Sequence, residues 1–228
     1  MNNRIKKLLN LPLDIWLLFI SYLPGPLGFR FRYNYWKKRL KYIGKNVKID
    51  QGVYLQNPKF ISLDDNCWID KYVIILAGHD QSQRPRRYIQ NKAFPIKKGS
   101  VHIGKSVHIG PYSLISGIGG VFISDECGFS SGVKVYSFSN HFRSDDLPSD
   151  KHFHFGPLAE KERTFMIEGP IFFDKNVGVA LNSVILPGVS IKRDSFIMIN
   201  SVVTKTFEEN SLISGNPAER IKERYNTG

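Results

Sequence analysis

The chain has 228 residues, 42% of them hydrophobic and 23% charged, which suits one domain with a sizeable core and excludes a disordered chain. Its formal net charge is +12, with basic runs at Lys37-Lys38-Arg39-Leu40-Lys41, Arg84-Pro85-Arg86-Arg87 and Lys97-Lys98 that suit nucleic acid, anionic lipid headgroups or phosphorylated ligands. Two cysteines, Cys67 and Cys127, neither in a CxxC pair, exclude a disulfide framework and read as small core residues.

Residues 1–41 mix apolar and basic side chains. The apolar stretch from Leu13 to Leu23 falls far short of the roughly 20 residues that a membrane-spanning helix requires. It leads into Pro24-Gly25-Pro26-Leu27-Gly28 with no small-x-small cleavage site, so a cytoplasmic protein is expected. The following FRFRYNYWKKRLK suits a helix. Two roles fit this segment: a helical cap on the core that follows, or peripheral attachment to the inner face of the cell membrane through aromatic, Leu and basic side chains.

From residue 42 the sequence takes on a period of six. An aliphatic residue or Phe at i is followed at i+4 by Val, Ser or Cys: Ile43/Val47, Ile49/Val53, Leu63/Cys67, Ile69/Val73, Ile103/Val107, Ile109/Ser113, Ile123/Cys127, Phe129/Val133 and Val135/Ser139. An unbroken run then follows: Phe173/Val177, Val179/Ser183, Ile185/Val189, Ile191/Ser195 and Ile197/Ser201. This period fits neither an amphipathic helix nor a simple strand. It predicts an all-β solenoid, a parallel β-helix of short strands, three to a triangular turn, so that residues 18 apart stack. Large side chains fill the interior, small ones sit where the chain bends, and each coil covers its neighbour's edge. The period alone does not set the hand, and parallel crossovers are normally right-handed.

The expected domain therefore covers residues 42–228, interrupted by insertions at 77–99 and 140–168. Both lack the period and are rich in charge, His and Pro, and loops extruded from a rigid solenoid are where chemistry is usually placed.

Ile43-Gly44-Lys45-Asn46-Val47, Ile103-Gly104-Lys105-Ser106-Val107-His108-Ile109-Gly110 and Val184-Ile185-Leu186-Pro187-Gly188-Val189-Ser190-Ile191 together resemble the hexapeptide-repeat acyltransferases. Ser201-Val202-Val203-Thr204-Lys205 and Gly215-Asn216-Pro217-Ala218 add to the likeness, which is closer to sugar and polysaccharide O-acetyltransferases and covers roughly residues 43–221. The resemblance implies a left-handed β-helix, a homotrimer with active sites in the clefts between subunits, and acetyl-coenzyme A as acyl donor along the C-terminal coils, with no metal.

It further implies a catalytic base at His141, in Ser139-Asn140-His141, where a coil gives way to a loop. A sugar hydroxyl is a poor nucleophile, so a neutral imidazole takes its proton as it attacks the thioester. A backbone N–H stabilises the oxyanion and the thiolate leaves. His79, in Gly78-His79-Asp80, is a rival base or a substrate-binding group, with Asn140 and Asp145 on the acceptor side. Glu168, closing the second insertion, is the candidate carboxylate that orients the imidazole, with Asp145 and Asp146 behind it. The donor falls to Ala180, Ser201, Lys205, Asn216, Pro217 and Arg220.

Several positions depart from the family pattern. Gly178-Val179-Ala180-Leu181 stands where the family writes Trp-Ile-Gly-Ala, and Met198-Ile199-Asn200 where it writes Gly-Ala-Gly. Small residues there let the backbone approach the pantetheine arm, so Met198 and Asn200 alter that donor geometry. Glu219 replaces the usual Lys or Arg, with Arg220 and Lys222 following.

The expected reaction is O-acetylation of a sugar in a polysaccharide or glycolipid precursor. N-acetylation of an amino-sugar nucleotide uses the same donor and base and is the alternative; a non-catalytic β-helix scaffold is the alternative of another class. A zinc site like that of the γ-class carbonic anhydrases is disfavoured because His102 and His108, six apart, lie on different faces of one coil. His152-Phe153-His154 meeting His141 at a metal is a weaker reading. Nucleic acid is not an expected partner, because the basic residues lie in the N-terminal segment and loops, without a helix-turn-helix, zinc-finger or RNP pattern.

Overall fold

The computed structural model describes residues 15–90, 96–140, 156 and 158–226. The six-residue period becomes a coil of two- and three-residue strands that builds three parallel ladders. The first face stacks Tyr42–Ile43, Ile61–Leu63, Val101–Ile103, Val121–Ile123, Ile171–Phe173 and Ser190–Ile191. The second stacks Lys48–Ile49, Trp68–Ile69, His108–Ile109, Gly128–Phe129, Gly178–Val179 and Phe196–Ile197, then Ser211–Gly215. The third stacks Tyr54–Gln56, Ile74–Leu76, Leu114–Ser116, Lys134–Tyr136, Val184–Ile185 and Val202–Val203.

Register explains the large apolar residue of each repeat. Leu63, Ile103, Ile123, Phe173 and Ile191 form one column, and Ile49, Ile69, Ile109, Phe129, Val179 and Ile197 another, all pointing inward and buried. Each fully buried side chain of this size contributes about 1.5–3 kcal/mol of transfer free energy.

The bends explain the rest of the period. Asn46, Asn66, Ser106, Glu126, Asn176 and Asp194 at one corner, and Gly52, Tyr72, Tyr112, Gly132, Asn182 and Asn200 at the next, all hold φ between 55° and 74°. Asn and Gly adopt this left-handed conformation at least cost. The buried Val, Ser or Cys of the repeat follows each of them and fits inside the corner, which places Cys67 and Cys127 in the core as free thiols.

The expected stacking of residues 18 apart holds only near the C-terminus, where Phe173 pairs with Ile191, Val179 with Ile197 and Ile185 with Val203. Earlier coils are longer: Ile43 lies on Leu63, Ile49 on Ile69 and Ile103 on Ile123, 20 residues on. The two additional residues sit at the corner leading from the third face to the first. A 3-10 turn at Pro58–Phe60 fills it in one coil and Gly117-Ile118-Gly119-Gly120 in another. Leu186-Pro187-Gly188-Val189 makes the same corner without them.

Before the first strand, residues 15–22 are helical and helix α1 spans Gly25–Lys37. Arg32 ties both to the first coil: its buried guanidinium donates to the carbonyls of Ile49 (2.6 Å), Ile20 (2.9 Å) and Leu23 (2.7 Å). The chain passes so close at Gly28 that a Cβ there would lie 1.9 Å from the Leu23 carbonyl oxygen. Trp36 and Leu40 extend the solenoid core into this segment. At the other end Ala218–Glu223 folds back antiparallel on Ser211–Gly215 through the cis Asn216–Pro217 bond. No helix among the described residues is long and apolar enough to cross a membrane.

Candidate functional site

Both insertions leave the solenoid from the corner that carries the additional residues, and they pair with each other. The strand Arg86–Tyr88 of the first runs parallel to Met166–Glu168 of the second, with Arg86 opposite Met166 and Tyr88 opposite Glu168. Met166–Glu168 runs antiparallel to Phe138–Asn140, with Phe138 opposite Glu168 and Asn140 opposite Met166. The result is a three-stranded sheet beside the corner.

A buried ionic cluster holds this sheet. Arg86 donates to Glu168 Oε2 at 3.0 Å and to Asp80 Oδ2 at 2.7 Å, and its guanidinium lies 5.6 Å from the centre of the Phe138 ring. Lys98 Nζ meets Glu168 Oε1 at 2.7 Å. The Ser82 hydroxyl donates to Asp80 at 2.6 Å. Burial alone would raise the pKa of Asp80; the Ser82 hydroxyl and N–H together with Arg86 outweigh it and hold the carboxyl below its ordinary range. For Arg86, burial disfavours the charge, and the two carboxylates more than compensate.

Glycines let the insertions lie flat on the corner. A Cβ at Gly119 would meet the Ser137 carbonyl oxygen at 2.4 Å, and one at Gly188 would meet Ile89 at 2.3 Å. Ile89 thus packs over Gly188, while its N–H donates to the Glu168 carbonyl at 2.7 Å.

Of the residues expected on the acceptor side, Asn140 ends its strand, half-buried, at the position immediately before His141. His141, Asp145 and Asp146 lie outside the described residues, as do His152 and His154. Glu168 is buried, and each of its oxygens is engaged by a cation, Arg86 on one and Lys98 on the other. His79 is exposed, edge-on to Phe60 with ring centres 5.4 Å apart, and its ring occupies the space beside Gly99. Its neighbour Asp80 belongs to the ionic cluster, so the first insertion reaches the second through residue 80 rather than 79.

The donor-side residues gather on the C-terminal coils. Ala180, on the corner between the second and third faces, donates its N–H to the Ile197 carbonyl at 2.8 Å, next to the half-exposed Met198. The equivalent positions in earlier coils are Asp50, Asp70, Gly110 and Ser130, so Met198 is the one large apolar side chain in that row. Asn200 takes φ 55°, a conformation that Asn shares with the glycine it replaces. Ser201 is buried, with its hydroxyl donating to the Met198 carbonyl at 2.8 Å. Lys205 is paired with Glu219, and Arg220 with Glu223 at 3.7 Å, all half-exposed around the Asn216–Pro217 turn. At Gly178, where the family writes Trp, the ring of Phe196 from the next coil covers the backbone, 2.5 Å from where a Cβ would stand.

His102 and His108 do lie on different faces, one stacked on Phe122 (4.4 Å) and the other beside Trp68 (4.9 Å). Among the described residues no group of three His, Cys, Asp or Glu side chains could hold a metal. The sequence alone did not disclose Arg86 and Lys98 as partners of Glu168, nor Asp80 as the second partner of Arg86. The available signal was a basic run in one insertion and an acid closing the other.

No family model matches the chain. It is 31% identical over 184 residues, 81% of this chain and 82% of the relative, to the dTDP-4-amino-4,6-dideoxy-D-glucose acyltransferase of Escherichia coli. Among solved structures, a variant of AntD, an N-acyltransferase from Bacillus cereus in complex with dTDP and coenzyme A, matches with a TM-score of 0.67 at 25% identity, covering 85% of this chain and 90% of that one. A hexapeptide-repeat-containing acetyltransferase from Vibrio cholerae, complexed with acetyl coenzyme A, shares the fold with a TM-score of 0.53 at 17% identity, covering 92% and 84%.

Proposed function

The chain belongs to the hexapeptide-repeat acyltransferases, as a sugar acyltransferase that draws on a coenzyme A thioester, and we propose that it acylates the amino group of a nucleotide-linked sugar. The observation that carries this is the 31% identity across four-fifths of both chains to an enzyme named for a dTDP-linked amino sugar. A neutral amine attacks a thioester carbonyl directly. His141 then takes the proton released as the C–N bond forms, and coenzyme A leaves as the thiolate. Asn140, Asp145 and His79 serve the acceptor; Ala180, Ser201, Lys205, Asn216, Pro217 and Arg220 serve the donor. Glu168 orients His141 through the strand that it anchors, since both of its oxygens are engaged by Arg86 and Lys98. A left-handed coil and a homotrimer with the sites between subunits complete the reading.

O-acetylation of a polysaccharide or glycolipid sugar is the second reading, favoured by Ser139-Asn140-His141, because a hydroxyl needs a base before it can attack whereas a free amine does not. Thiol release from acetyl-coenzyme A with dTDP-4-amino-4,6-dideoxyglucose and with its 4-hydroxyl counterpart separates the two. Turnover with the amino sugar alone supports N-acylation, and turnover with the hydroxyl compound transfers the assignment to O-acetylation. His141→Ala should lose about 10²–10⁴-fold in rate while still binding coenzyme A. Undiminished turnover removes His141 as the base, and failure of the wild type to bind coenzyme A leaves the scaffold.

A further inference from the structure

The helical segment before the solenoid has two unlike sides. Inward, Ile20, Arg32, Trp36 and Leu40 are buried on the first coil. Outward, Trp16, Leu18, Phe19, Tyr22, Leu27 and Phe31 are exposed, Leu18 by 62% and Leu27 by 63%. Trp16 joins the two helical stretches on that side, stacking on Phe19 at 5.7 Å and meeting Phe31 edge-on at 5.8 Å. Beside these rings Asn34, Tyr35, Lys38 and Arg39 line a groove, with the Arg39 guanidinium 3.6 Å from the centre of the Tyr35 ring.

Clustered exposure of large apolar side chains marks an interaction surface, and charge selects the partner. Between residues 15 and 49 there is no Asp or Glu, while Arg30, Lys37, Lys38 and Arg39 are exposed, Lys38 and Arg39 beside Trp16 and Phe31. Leu and aromatic side chains bordered by cations suit a helix lying in the headgroup region of an anionic bilayer, where Trp and Tyr rings settle at the interface.

We propose that the outward side of residues 15–39 binds an anionic phospholipid surface, with Trp16, Phe19, Leu27 and Phe31 entering the boundary between headgroups and acyl chains and the four exposed cations facing lipid phosphates. The contact is peripheral. Because Arg32 fastens the same segment to the first coil, the solenoid is held at the surface by its N-terminal end. This goes beyond the acyltransferase reading and does not depend on it.

The test is cosedimentation of the full chain with phosphatidylcholine vesicles, with and without phosphatidylglycerol, at low and high salt. Binding is expected only with phosphatidylglycerol, weakening as salt rises. Phe19→Glu with Leu27→Glu, and separately Lys38→Glu with Arg39→Glu, should each weaken it at least about tenfold. All four side chains are exposed, so thermal unfolding should stay as in the wild type. Absence of binding to the anionic vesicles, or binding by both double variants as tight as that of the wild type, overturns the proposal. So does self-association that Phe19→Glu with Leu27→Glu abolishes in a chain that ignores vesicles, which would assign this face to a second copy.

Discussion

Arg86→Ala tests whether the two insertions act as one unit. The Arg86 side chain is 10% exposed and bridges Asp80 and Glu168, which are 15% and 3% exposed. Removing one partner of a buried ion pair costs about 3–5 kcal/mol. Glu168 keeps Lys98 and Asp80 keeps Ser82, so the lower end applies, about 3 kcal/mol, or roughly a hundredfold in an opening equilibrium. None of the inward columns includes these side chains, so the loss should open the small sheet and leave the coils folded. Hydrogen exchange reads this directly. The amides of Met166 and Ile89, bonded to the carbonyls of Pro85 (2.9 Å) and Glu168 (2.7 Å), should exchange about a hundredfold faster, while that of Leu114, bonded to Val133 within the coils, should not change. Lys98→Met should cost less than about 1 kcal/mol, since Lys98 is 43% exposed. The sign of the pH dependence follows from Asp80. Its folded pKa lies below the unfolded value of about 3.9, so its contribution is complete above that pH and is lost as pH falls through the folded value. Protection of Met166 and Ile89 should therefore hold at neutral pH and fall only below about pH 4. Unchanged protection at these two amides in Arg86→Ala would refute the reasoning.

Arg32→Met should lower stability by about 2 kcal/mol in thermal or denaturant unfolding, because three carbonyls lose their donor while the burial cost of the guanidinium, only partly offset by Asp50, is relieved. A loss smaller than about 0.5 kcal/mol would show that the helical segment does not depend on this residue. Burial pushes both cysteine thiols up to about 12, so neither Cys67 nor Cys127 should react with iodoacetamide at pH 8 in the folded protein, although both should in denaturant. Mass spectrometry that finds either residue alkylated in the native chain would contradict their place in the core.

The solenoid was legible because its cause is local. One inward side chain, one left-handed residue and one small residue recur every six positions whatever the rest of the chain does. Coil length was less legible. The repeats at Ile43 and Leu63, or Ile103 and Ile123, stand 20 apart, but the corner between Leu55 and Leu63 departs from the six-residue period, and the register of the parallel ladders shows that the additional residues are taken up there. The helical segment could be read as a cap or as a membrane-binding surface because its sequence holds the material for both. Ile20, Arg32 and Trp36 face one way and Phe19, Leu27 and Phe31 the other, so composition could not choose between two sides that coexist.

The ionic cluster was illegible for a different reason: Arg86 and Glu168 are 82 residues apart, and no period links them. Geometry does. Ile75, Ile115 and Val135 stack in consecutive coils, so the two insertions leave the same corner two rungs apart, about 10 Å at the usual strand spacing. A short excursion spans that distance, and Arg86 and Glu168 meet because the solenoid brings their points of departure together. The strand that ends at Asn140, one residue before the proposed base, is then the outer member of a sheet whose far strand comes from the other insertion. Turnover at the proposed base should therefore depend on Arg86 and Lys98 as well as on its own loop. Substitutions in the first insertion should change turnover even where no side chain there touches the sugar.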